Sequence, residues 1–248
     1  MWNHAAEPHS LPDEAQLAVN ELRALFKLSR DLRTEPNPVP QPRVLHVIWD
    51  RLDEGVACIV RMFPGDEGGR FPLPRILIAL TARWLGEGAG LLAWLAEDPA
   101  ERARQYSAGG ADSRWDLAVK RMGFDPAAAV DLRAHADSAP HAPRTPKLVQ
   151  RLDEQFGPVY AALCEVSHWN SVWVAGTMED RPAGDWILHL EAAAAFYRHS
   201  IAAAARAYGF DVDRRLRAIP LSWATRTGHH ATGTSRAGPE ESGTITAS

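Results

Sequence analysis

The chain has 248 residues, 46% hydrophobic and 23% charged, an ordinary globular composition long enough for a substantial core. A formal net charge of −4 gives no basic excess, so a nucleic-acid partner is not favoured and a membrane-surface partner is not expected. Cys58 and Cys164 are the two cysteines, both in apolar runs, which excludes a disulfide framework; with no basic-then-apolar leader in "MWNHAAEPHS", the expectation is a cytoplasmic protein with reduced thiols.

Residues 1–9 read as a flexible start. Ser10, three before Asp13 and with Pro12 between them, resembles a capping box and opens a helix over 11–34. The breaker "EPNPVPQP" (35–42) separates it from a helix over 43–63, and "PGDEGGRFPLP" (64–74) separates that from one over 73–96. "DPAE" at 98–101 offers an N-cap, a proline at N1 and an acid at N3, predicting a helix over 99–107 that "SAGGADS" (107–113) ends. Helices then follow near 114–122, at 126–137 after Asp125-Pro126, and at 146–156 after Thr145-Pro146. Three more are predicted over 158–175, over 185–209 from the cap Asp185, and over 212–219. No segment sustains period-two alternation between hairpin turns, although "WNSVWVAG" has the length of a short strand. The fold class is therefore all-α, a single-domain multi-helix bundle over 10–223. From 224 onward almost no large apolar residue occurs, and a disordered tail over 224–248 is expected.

Within this frame "ILIALTARWLGEGAGLLAWL" (76–95) is long enough to span a bilayer, but Arg83 and Glu87 in its middle would each cost about 3 kcal/mol. Their i,i+4 spacing instead predicts a pair inside a bundle. The alanine runs of "EAAAAFYRHSIAAAARAY" predict a central packing helix. "GEGAG" (86–90) implies tight helix contact, a local break or room for a ligand, because each interior glycine costs about 1 kcal/mol. The tetrapeptide "RLDE" occurs at 51–54 and 151–154; about one such coincidence is expected in a chain this long, so no repeat is inferred.

Chemistry concentrates in "YAALCEVSHWNS" (160–171), where Tyr160, Cys164, Ser167 and His168 share one side of a helix. Glu165-x-x-His168 has the spacing of a helical metal ligand pair, but the pair occurs once, without the second copy a di-iron bundle uses, so no metal and no cofactor is assigned. Cys164 and His168 are spaced for a thiolate and imidazole, although mid-helix cysteines more commonly pack. The helical HEPN-type ribonucleases place a histidine after an arginine and four to six residues; no histidine here has that arginine. Asp50-x-x-x-Glu54 beside Trp49 is similar to an acidic motif of terpene cyclases, but its complementary motif is absent. Nine tryptophans either line a cavity or fill the core.

The segments 83–106 and 159–171 together resemble an uncharacterised bacterial all-helical domain family, with the pattern Arg-x3-Glu, Leu-x2-Asp-Pro and Tyr-x2-Leu-Ser-x3-His. It maps onto Arg83, Glu87, Asp98, Pro99, Tyr160, Leu163, Cys164 and His168, with cysteine in place of serine. The resemblance implies a soluble intracellular binding or regulatory domain with a stress- or phage-defence context and no established reaction. If the faces carrying Arg83 and Glu87 and carrying Tyr160 and His168 meet, the four form a buried polar cluster, either a register device or the wall of a pocket. The partner is then a small-molecule ligand or a protein. The alternative is an enzyme on a small, largely apolar substrate in a Trp-lined cavity. His168 is then the acid/base, Tyr160 the donor, Glu87 the group orienting His168 and Arg83 the anion site.

Overall fold

A computed structural model describes residues 13–37, 39–63, 75–116, 119–120, 123, 125–126, 143, 145–154, 156–167 and 185–223. Eight α-helices and no strand occur among them: α1 (Asp13–Thr34), α2 (Arg43–Arg61), α3 (Arg75–Glu97), α4 (Pro99–Asp116), α5 (Thr145–Gln150), α6 (Phe156–Ser167), α7 (Asp185–Tyr208) and α8 (Asp213–Arg217). They form the all-α bundle that the helix-start signals predict.

Apolar spacing explains the packing. In α2 the buried Leu45, Trp49, Leu52, Val56 and Ile59 recur at alternating intervals of four and three, which draws one stripe along the helix. In α1 Ala15, Ala18, Val19, Leu22, Leu25, Leu28 and Leu32, mostly three or four apart, likewise line one face. Each large side chain removed from water contributes about 1.5–3 kcal/mol, so these stripes hold the helices to one shared core.

The axis of that core is α3 against α7, the most extensive helix contact in the fold. Both alanine runs of α7 contribute, with Ala192 to Ala194 and Ala203 to Ala205 buried, as the sequence predicts for a central helix. The α3 glycines are sites of close approach rather than a break. A Cβ on Gly86 would lie 2.9 Å from the Phe196 ring, one on Gly88 2.6 Å from Leu52, and one on Gly90 2.8 Å from the backbone of Leu148. α7, α2 and α5 are thereby drawn onto different sides of α3. Leu52 against Gly88 and Gly55 against Trp84 also set α2 antiparallel to α3.

Helix ends follow local chemistry. The Glu101 amide donates to Asp98 Oδ1 at 3.3 Å and the Arg102 amide to the Asp98 carbonyl at 2.8 Å, the cap expected of "DPAE". α7 stops at Gly209, whose φ of +77° is left-handed. The Phe210 amide donates to the Ala205 carbonyl at 2.8 Å and that of Gly209 to Arg206 at 3.3 Å, a Schellman closure.

Two expectations are corrected. α4 continues through 107–113 to Asp116, because the roughly 1 kcal/mol cost of each glycine does not by itself end a helix rich in alanine and flanked by good helix formers. The helix expected over 146–156 ends at Gln150; Arg151 to Glu154 form a turn, and α6 begins at Phe156. "RLDE" is therefore turn in one copy and mid-helix in the other. Cys58 is exposed on α2 despite its apolar neighbours, and neither cysteine forms a disulfide. The expected capping box at Ser10, the helix over 126–137, the segment "WNSVWVAG" and the tail over 224–248 lie wholly or almost wholly outside the described residues. Among those described, no helix is long and apolar enough to cross a membrane.

Candidate functional site

Arg83 and Glu87 stand one turn apart on α3, and the Arg83 Nε donates to Glu87 Oε1 at 3.0 Å. The same carboxylate oxygen accepts from the Tyr160 hydroxyl of α6 at 2.8 Å. The two predicted faces do meet, and three of the four predicted site residues come together. His168 lies outside the described residues, and Glu165 is exposed on α6. Among the described residues no group of three or more metal-ligating side chains forms.

The cluster is less enclosed than the sequence implies. The Arg83 and Glu87 side chains keep 28% and 32% of their exposure, while Tyr160 is buried. Burial draws the Arg83 guanidinium down, but its bonds to Glu87 and Tyr160 win and leave it above its ordinary value. Burial, then the bond to Glu87, pushes the Tyr160 hydroxyl well up, with Cys164 one turn away acting in the same direction. Tyr160 is therefore a fixed hydrogen-bond donor at neutral pH.

Glu87 also faces a cleft of about 450 Å³ between α2 and α3, within the range of small-ligand sites. Ile48, Leu52, Trp84 and Leu91 supply much of its apolar wall, and Tyr106 of α4 and Leu148 of α5 close its end. Among the described residues its charged lining groups are Glu87 and Arg51. The Trp-lined cavity expected of the sequence reduces to Trp84 among the described residues, because Trp49 and Trp94 are buried in the core. Trp94 instead carries the Arg102 guanidinium 5.0 Å from its ring centroid.

A second polar network was not anticipated. Asp53, in the copy of "RLDE" set aside as coincidence, is 5% exposed. Its Oδ1 accepts from the Ser29 hydroxyl at 2.7 Å and the Tyr197 hydroxyl at 2.5 Å. Arg33 pairs with its Oδ2 at 3.0 Å, and Trp49 Nε1 donates to Ser29 at 2.8 Å. Arg33 also pairs with Asp50, whose other oxygen is 3.5 Å from His46 Nε2, so the acidic motif of α2 is engaged by α1 and by its own helix. The signal that finds Asp53 is its place beside Leu52 and Val56 on the buried stripe, where an unpartnered carboxylate would be costly. This network joins α1, α2 and α7 and so fixes their register.

Comparison with known protein families, with characterised proteins and with solved structures finds no match for this chain.

Proposed function

We propose that this protein is a helical binding domain whose small-molecule ligand enters the cleft between α2 and α3 and reaches Glu87. One observation carries this: Glu87 belongs at once to the Arg83–Glu87–Tyr160 cluster and to the cleft wall. A carboxylate fixed by two donors on one oxygen is preorganised, so a ligand meets a set geometry without ordering the side chain first. The apolar wall supplies contact area, and Trp84, 41% exposed, stands where an occupant would cover it. An enzymatic role needs His168 beside Tyr160 and Glu87 and has no described contact to support it. A regulatory role in stress or phage defence rests on the family resemblance alone.

The test is fluorine NMR on protein labelled with 5-fluorotryptophan, the Trp84 resonance assigned by Trp84→Phe. Small apolar compounds carrying polar groups should shift that resonance, and Leu91→Trp, which fills the cleft, should abolish the shift. Compounds that bind while moving only other tryptophans would place the ligand site elsewhere.

A further inference from the structure

The charges around the cleft specify what kind of ligand it takes. Glu87 projects from α3 and Arg51 from α2, and both line the same space. The two opposite charges are not paired with one another. Each is held by a partner on its own helix, Glu87 by Arg83 at i−4 and Arg51 by Glu54 at 2.7 Å. Both bonds to Glu87 use Oε1, so its second oxygen retains acceptor capacity. The Arg51 and Glu54 side chains are 65% and 61% exposed, and an i,i+3 pair so open to water holds its guanidinium weakly. Arg51 is thus free to turn onto an incoming carboxylate, for which its planar fork is suited.

A cation alone would engage only Glu87, and an anion alone only Arg51. With one pole on each wall of an apolar, aromatic-edged space, we propose that the cleft binds a zwitterionic amino acid with a large apolar side chain. Its ammonium group donates to Glu87, its carboxylate pairs with Arg51, and its side chain lies against Trp84 and Leu91. This rests on the cleft being the ligand site, as proposed above. Recognition of both poles provides selectivity, because an analogue lacking either forgoes one charge-assisted contact.

Calorimetric titration of the full chain with L-phenylalanine, phenethylamine and 3-phenylpropionate tests the assignment, with Trp84 fluorine shifts recorded in parallel. L-Phenylalanine should bind at least about tenfold more tightly than either analogue, the loss expected for one charge-assisted contact. Glu87→Gln should reduce its affinity toward that of 3-phenylpropionate, and Arg51→Gln toward that of phenethylamine, with circular dichroism unchanged in both. Equal binding of either analogue, or affinity indifferent to both substitutions, overturns the zwitterion. If none of the three binds while other compounds shift Trp84, the ligand class is wrong and the cleft stands. If nothing shifts Trp84, both fail.

Discussion

Asp53 and Glu87 are both helical carboxylates that accept a tyrosine hydroxyl and face an arginine, yet their surroundings give them different work. Asp53 is enclosed by Ser29, Arg33 and Tyr197 from two other helices, and removing it leaves two buried hydroxyls without their acceptor and the half-buried Arg33 guanidinium with Asp50 alone. Asp53→Ala is expected to cost about 3–5 kcal/mol in urea-induced unfolding, as for other broken buried pairs. Tyr197 is held far above its ordinary range by burial and then by Asp53, so it stays protonated in the fold while the unfolded chain ionises at alkaline pH. His199 responds at the other end of the scale. Burial lowers its pKa below 6.5, Asp153 opposes this, and Arg206 and Arg198 reinforce it; its ring packs edge-on to Phe156 at 5.1 Å. As pH falls below about 6.5 the unfolded chain takes up the proton first, so the stability His199 contributes is full above that pH and lost below it. His199→Gln should flatten this acid-side slope in unfolding free energy measured against pH.

At the level of elements, α3 shows what a sequence states and what it withholds. Arg83 and Glu87 at i,i+4 predicted their own pairing, and Tyr160 on an apolar helix predicted a partner, because both follow from local geometry on one helix. The three α3 glycines were ambiguous from sequence, since a missing side chain is equally consistent with contact, break or cavity. Only the neighbours decide, and here they are a phenylalanine ring, a leucine and a helix backbone. The Asp53 network was illegible for a similar reason: its members stand at 29, 33, 49, 53 and 197, and nothing local links the last to the rest. The α4 boundary was misplaced because glycine propensity is weak evidence against a helix. Gly90→Ala should destabilise by about 1–3 kcal/mol, because the Leu148 backbone has little room to move. Gly86→Ala meets a side-chain ring that can shift, so the smaller loss should fall there; thermal unfolding of the two variants checks the order.

Across the whole molecule, the two ends of the described chain are tied together. Arg198 of α7 pairs with Glu21 of α1 at 2.7 Å and donates to the carbonyls of Leu216 at 2.7 Å and Ile219 at 3.0 Å, while the Ser222 amide donates to Glu21 at 2.8 Å. With Glu21 almost fully buried, Arg198→Ala should lower the thermal midpoint on the order of 10 °C. The Glu87 cluster differs from the Asp53 network and this latch in being partly open and beside a cleft. The direct test of that division is the unfolding free energy of Glu87→Ala set against Asp53→Ala. A ligand-facing carboxylate should cost no more than about 1.5 kcal/mol, because its ion pair is exposed enough to be weak and one neutral bond is lost. A loss matching that of Asp53→Ala would make the Glu87 cluster a second register device and contradict its assignment as a binding site.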